Sequence, residues 1–559
     1  MKNRIIREYL ESLKEDKELD FIFPILLDAM GFRIVSTPKN SKGQPQHGKD
    51  VVAIGCGMDN KIYRWYFELK GNASKDITTT NFNAQDGVRD SLLEAKDVAY
   101  ESQSIPKFNE LPVKIVFVHN GVLQANAEPA FNGFIKREFK HGEFERWDIE
   151  QLTHLFAEHL FEECLFADDE CYSLFKKTLV MLDAPGWNTN DISTIVEIFL
   201  RRCPYDAKPN KRKVQKSFAG LNLILAIIYK YCMDNGNLLP AKWSSDIIVL
   251  KIWTWILKNK KENCSLYIEK FHNIYNLHIS IYDSYINKLL PLARSYKGLY
   301  HPAGTQSEII CYPLRCYDFL NDLLYYLNST YEIEDENLSS KESTIDILNQ
   351  LIKSNSGFDL PLLDNHSISL ILLTKYIWCQ EHAPDDLHVK DYYEYICRVC
   401  RNVIIRHKQN NMFPELYSNL KEVCASMYKK SSEYVDSSSM FLVVLIEIIA
   451  RFDIPFLYKK LRSEILESKV NLQIPYPIDS EDFEVNFFDH HLHEEMSVET
   501  NIELPETVEE FREKFRILYN PVHFRTDEVG FVNLRLLAHI HHKTEFFPDF
   551  LDFGFLQQS

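Results

Sequence analysis

Three side chains in the segment QHGKDVVAIGCGMDNKIYRWYFELK (residues 46–70) have types and spacing suited to metal-assisted chemistry: Asp50, Glu68 and Lys70. Asp50 opens one strand-like run, VVAI. Glu68 and Lys70 close another, KIYRWYF, across a short break at CGMDN. Side chains alternate along a strand, so Glu68 and Lys70 share a face. The 18-residue separation of Asp50 from Glu68 fits a hairpin with roughly eight residues per arm. Such a hairpin sets the two carboxylates side by side at the open end of a sheet. Carboxylates that close raise each other's pKa unless a cation lies between them. Magnesium, or manganese in its place, is a hard ion that takes one or two carboxylates and keeps several waters. The backbone carbonyl of Leu69 is a plausible third ligand. Lys70, one step on, can orient a water or neutralise charge on a transferring phosphate. Together these groups are equipped to hydrolyse phosphodiesters.

The elements around this hairpin read as a compact α/β domain. Ile5, Ile6, Tyr9, Leu10 and Leu13 fall on one helical face. A further helix is expected from about Phe21 to Met30, ending at Gly31. FRIVST (32–37) reads as a strand and PKNSKGQPQHGK (38–49) as a polar loop. A helix over Ala84–Tyr100, a buried strand over 113–121, a helix over 127–140, a strand over 144–148 and a helix over 149–166 complete the order. The order predicts a mixed sheet covered by helices.

This stretch resembles the PD-(D/E)xK nuclease superfamily, in particular its Mrr-like restriction endonuclease branch, over residues 1–165. The resemblance rests on GKDVVAIG and YFELKG for the metal hairpin and on FPILLDAMGFRIVST before it. KIVFVHNGVLQANAEPAF and FERWDIEQLTHLF carry it downstream. It implies that Asp50 and Glu68 bind Mg²⁺ or Mn²⁺, that Lys70 is the catalytic lysine, and that DNA is the substrate. It also points to an acidic residue on the first core helix, matched by Asp20, and to a polar residue opening the helix after the hairpin, matched by Gln85. Lys49 and Lys42 are the candidate nucleic-acid contacts. The setting implied is a prokaryotic anti-phage defence or restriction system.

Beyond about residue 170 convincing strands nearly vanish and helical periodicity takes over. The expected layout is a nuclease domain over 1–168, a large all-α sensing or assembly domain over 169–470, and an irregular, partly helical tail over 471–559 packed on it. No fixed period marks a solenoid. Such a helical part would sense a trigger, oligomerise, or dock an ATPase or sensor partner. The competing reading is a non-catalytic helical scaffold with a degenerate nuclease fold.

Composition narrows the classes further. The net charge of the 559 residues is -17, with -5 on residues 1–165 and -12 on the rest, so nucleic-acid contact requires a local patch. The twelve cysteines lack framework spacing, and CYPLRC and CRVC stand alone where a structural zinc site needs two such pairs together. No apolar leader opens the chain, and the longest apolar runs, such as FLVVLIEIIA, are too short to span a bilayer. A soluble cytoplasmic protein is expected. There is no GxxxxGK[ST] and no GxSxG.

Four other clusters carry weaker signals. RNVIIRH (401–407) has the Arg-polar-x4-His form of HEPN ribonucleases, but a helix C-terminus complemented by cations is the plainer reading. DHHLHEE (489–495) and HIHHK (539–543) contain metal-ligand types. KPNKRKVQK (208–216) is expected to be an exposed basic loop at a helix start.

Overall fold

The alternation of IYRWYFELK (β3, Ile62–Lys70) sends Trp65 and Phe67 to one face of a sheet and Tyr66 and Glu68 to the other. In the computed structural model β3 is the central strand of five. The structure describes residues 2–544 apart from 38–46, 58, 72–74, 86, 103–104, 163–168, 185, 204–210, 305, 331–343, 379–385, 411, 416–418, 430–437, 469, 478–482, 491–496, 502–503 and 517–522.

The sheet runs in sequence order: β1 (Arg33–Ser36), β2 (Val51–Cys56), β3, β4 (Val113–His119) and β5 (Phe144–Trp147). The first two pairings are antiparallel and the last two parallel. The mixed sheet expected from the sequence is therefore present. On one face Phe67 meets Phe23 of α2 (Asp20–Ala29) at 5.2 Å and Trp147 at 5.5 Å between ring centroids. On the other, Tyr66, Ile115 and Phe117 join a core with Leu92 of α4 (Val88–Asp97) and Phe131 and Phe134 of α5 (Glu128–Glu138). The helix expected over 84–100 is interrupted. A short helix, α3 (Thr79–Asn83), precedes α4, started by a reciprocal Thr78–Asn81 capping box. Helices α1 (Lys2–Ser12) and α6 (Ile149–Phe156) flank the layer.

The chain divides into two compact units. The first comprises Met1–Ser244 with Glu269–Ile274, and the other Ser245–Ile268 with Tyr275–Ser559. The first thus continues past the residue-168 boundary drawn from the sequence. The reason is packing: the helix Lys211–Asn235 lies against α2, and Lys270 pairs with Asp28 at 2.6 Å.

The second unit is mostly helical but not purely so. A three-stranded sheet pairs Ser438–Ser439 with Asn471–Pro477 in parallel and the latter with Ser497–Asn501 antiparallel, which corrects the all-α expectation. Described residues after 470 share this unit's core. Trp253 donates through Nε1 to Thr526 Oγ1 at 2.9 Å and packs its ring on Phe531. Among the described residues no helix is long and apolar enough to cross a membrane.

Candidate active site at the end of the β2–β3 hairpin

The hairpin turn fixes everything downstream of it. Asn60 takes a left-handed backbone (φ 61°), and Gly57 N–H donates to Lys61 O at 2.8 Å. From this turn the register runs from Cys56↔Ile62 to Val51↔Phe67, so the next position on each arm is Asp50 opposite Glu68. There the ladder becomes irregular. Asp50 N–H donates to Phe67 O at 2.9 Å, and Asp50 Oδ2 accepts the Leu69 N–H at 2.7 Å. The N–H and carbonyl of one strand residue share an edge. The Leu69 carbonyl thus faces the Asp50 side, beyond the end of the β2 ladder.

Glu68 is 3% exposed and Asp50 is half-buried. Burial, and then the negative charge of Glu68, push the Asp50 carboxyl up to about 8, although the Leu69 N–H and the Lys70 charge oppose this. Lys70 Nζ lies 3.0 Å from Glu68 Oε1 and 3.1 Å from Glu15 Oε1. Burial works against its ammonium, but the charges of Glu68 and Glu15 outweigh that and raise its pKa above the ordinary lysine value. Asp50 Oδ1 and Glu68 Oε2 have no hydrogen-bond partner among the described residues. These two oxygens and the Leu69 carbonyl are hard oxygen donors, the donor chemistry that magnesium or manganese takes. No group of three His, Cys, Asp or Glu side chains placed to hold a metal occurs among the described residues, so the protein side chains offered here are two.

Glu15 is the site residue that sequence reasoning missed. It opens a one-turn π-helical segment, Glu15–Leu19, between α1 and α2. Its Oε2 also accepts the Gly71 N–H at 3.2 Å. Asp20, matched from the resemblance, is the half-buried first residue of α2, and the acidic side chain reaching Lys70 comes from five positions earlier. A run of acids (Glu15, Asp16, Glu18, Asp20) sits between two apolar helical faces. That run was the available signal, and spacing alone could not choose among its members.

The remaining candidates are placed as follows. Gln85 is exposed in the turn between α3 and α4 and does not open a helix. Lys49 is 6% exposed. It donates to His47 O at 2.8 Å and lies 5.6 Å over the Tyr66 ring, and burial lowers its pKa to about 8 against the pull of Glu94 and Glu68. Its ammonium is thus turned into the protein, which argues against a nucleic-acid contact. Lys42 lies outside the described residues.

Two of the other clusters reach into the packing. Arg401, the arginine of the RNVIIRH pattern, is exposed, whereas Arg406 donates to Pro361 O at 2.9 Å and His407 faces Glu464 at 2.9 Å while stacking on Phe413, so the histidine end is held within its unit's packing. His539 is buried with Nδ1 at 3.0 Å from Thr544 Oγ1, and burial lowers its pKa well below the usual range. In DHHLHEE, residues 491–495 lie outside the described residues. So do residues 208–210 of the basic segment, and Lys211–Lys216 begin the helix Lys211–Asn235 instead of forming a loop. Cys311 and Cys316 share one helix, Cys397 and Cys400 another, and all four are free thiols.

An open cleft of about 1340 Å³ lies at the opposite end of β3 and β4, beside Tyr63 and Val113. It is lined by Lys96, Lys114, Lys136, Arg137 and Lys140 against Asp59, Glu138 and Glu143, with Lys96 paired to Glu138 at 3.3 Å and Lys114 to Glu145 at 2.8 Å. It is far from the carboxylate pair and carries no chemistry of its own. Compared with family models, curated proteins and solved structures, the chain matches none.

Proposed function

We propose that the chain is a divalent-metal-dependent phosphodiesterase, an endonuclease acting on DNA. The observation that carries this reading is the hairpin register, which brings Asp50 opposite Glu68 with the Lys70 ammonium 3.0 Å from Glu68. Asp50, Glu68 and the Leu69 carbonyl would hold Mg²⁺ or Mn²⁺. When bound, the ion polarises a phosphoryl oxygen and lowers the pKa of a water. The Leu69 N–H orients Asp50 by fixing its Oδ2, which leaves Oδ1 uncommitted. Lys70 keeps its ammonium at the strand end, where it can donate to a phosphate oxygen and stabilise the charge that develops on it. Burial of Glu68 removes competing water from its carboxylate.

The resemblance to restriction endonucleases favours DNA and a role as effector of a prokaryotic defence system in the cytoplasm. The helical part, with a net acidic chain, would supply assembly or docking of an ATPase or sensor partner. DNA binding by the lone chain would then be weak, since the global charge opposes it. The test is incubation of purified full-length protein with plasmid and with structured RNA, in Mg²⁺, Mn²⁺ or EDTA, beside Lys70→Ala. Metal-dependent nicking by the wild type and none by the variant is expected. Equal cleavage by Lys70→Ala overturns the assignment, and cleavage of RNA alone overturns the substrate.

A further inference from the structure

Glu15 is fixed by contacts to two consecutive donors at the end of β3. Oε1 takes the Lys70 ammonium at 3.1 Å and Oε2 the Gly71 N–H at 3.2 Å. The backbone there is equally constrained. A Cβ added at Gly71 would sit 2.9 Å from Glu15 N and 3.2 Å from Glu15 Cα, so the two main chains touch directly. Behind them, the buried Asn120 donates through Nδ2 to Leu10 O at 2.6 Å and Leu13 O at 2.8 Å, and Lys75 donates to Glu11 O at 3.2 Å. These bonds tie the C-terminal end of α1 to the ends of β3 and β4. The placement of Glu15 is therefore built into the fold.

We propose that Glu15 is a positioning residue for Lys70 and not a third metal ligand, an inference that rests on reading Asp50, Glu68 and Lys70 as a phosphodiesterase centre. Two observations separate the roles. Both oxygens of Glu15 are engaged, whereas Asp50 and Glu68 each keep one uncommitted. Glu15, Asp50 and Glu68, all described, do not gather into a group that could share one ion. An ammonium has three N–H donors. Glu15 and Glu68 take two of them, at 3.1 and 3.0 Å, which leaves one N–H for a substrate oxygen and restricts its direction. Without Glu15 the four-carbon stem regains its rotamers, and the directed N–H is lost.

The experiment compares full-length wild type, Glu15→Gln, Gly71→Ala and Glu68→Gln in two readouts: calorimetric titration with Mn²⁺, and single-turnover cleavage of plasmid against protein concentration. Glu15→Gln keeps an oxygen for Gly71 but no charge for Lys70. It is expected to bind Mn²⁺ within about threefold of wild type and to lose about 10- to 100-fold in maximal rate with little change in half-saturation, the range for a supporting residue. Gly71→Ala displaces the Glu15 backbone and should reproduce that pattern. If Glu15→Gln fails to fold, judged by its melting transition, Gly71→Ala carries the test. Glu68→Gln should lose Mn²⁺ binding. A tenfold or greater loss of Mn²⁺ affinity in Glu15→Gln makes Glu15 a ligand and overturns the proposal. An unchanged maximal rate in Glu15→Gln overturns it as well. Absence of Mn²⁺ binding and cleavage in the wild type overturns the phosphodiesterase reading itself, and is told apart by the wild-type traces.

Discussion

Two clusters of chemically capable side chains invite comparison: Asp50–Glu68–Lys70 in the first unit and Ser245–His278–Asp246 in the other. By residue type alone, the serine–histidine–aspartate cluster is the closer match to a catalytic set. Ser245 Oγ is 2.8 Å from His278 Nδ1, and Asp246 Oδ1 is 3.9 Å from the same ring. Yet His278 Nε2 is 2.9 Å from Tyr325 OH, Asp246 accepts from Tyr282 OH at 3.0 Å, and Ser245 and His278 are fully buried. Tyr282 and Tyr325 pack their rings on the imidazole. Both ring nitrogens of His278 and the Ser245 hydroxyl are engaged inside the network, closed to solvent. In the carboxylate–lysine cluster Asp50 is only half-buried, and two carboxylate oxygens remain uncommitted among the described residues. The difference shows that residue types at bonding distance are not enough. Chemistry requires remaining acceptor capacity at an accessible edge, and a satisfied buried network instead specifies packing.

The comparison breaks first through substitution at each cluster. Lys70→Ala and Glu68→Ala should lower plasmid cleavage by about 10³-fold or more, with circular dichroism unchanged. His278→Ala should leave metal-dependent cleavage within a few-fold while destabilising its own unit by about 2–4 kcal/mol, because it opens a cavity and strands the Ser245 and Tyr325 hydroxyls. Denaturant unfolding followed separately for each unit would measure it. A collapse of cleavage in a folded His278→Ala protein would give the helical network a role we deny it.

The pH dependence of stability sharpens the contrast. The Asp50 carboxyl titrates at about 8 in the folded chain, against about 4 when unfolded. Between these values the native state holds more protons than the unfolded one, so its stability falls as pH rises from about 4 through about 8. Asp50→Asn removes that slope. Without metal, the variant should melt a few degrees above wild type at pH 8.5 and level with it near pH 4, and Mg²⁺ should narrow the gap at high pH. Identical pH profiles of the two proteins would show that Asp50 carries no such penalty. The smallest effect belongs to Ser245→Ala, which should cost about 1 kcal/mol and leave cleavage untouched.

Much of the first unit was legible because local rules and tertiary demand agree there. The break at CGMDN, the two arms and the apolar 113–119 strand each carry a period that survives folding. The carboxylate pair followed from the hairpin register, since a turn fixes which residues face each other. Glu15 did not follow. Its contact with Lys70 spans 55 positions and depends on Asn120 and Gly71 holding α1 in place, which no periodicity encodes. In the helical part, Ser265–Ala293, a helix of 29 residues, is dense in Tyr, Ile and Asn, residues of modest helix propensity, and becomes helical because its apolar stripe is buried. The strand Asn471–Pro477 contains two prolines, which disguise it, and one edge of it pairs only briefly, at Ser438–Ser439.

The most direct test is calorimetric titration of Mg²⁺ and Mn²⁺ into the full-length wild type, Asp50→Asn and Glu68→Gln. Binding of an ion by the wild type, weakened by about 100-fold or more in each variant while both remain folded, is the result expected if the hairpin end is the metal centre. Unchanged affinity in either variant, or no binding by the wild type, would mean that the carboxylate pair is only a structural neighbour of Lys70.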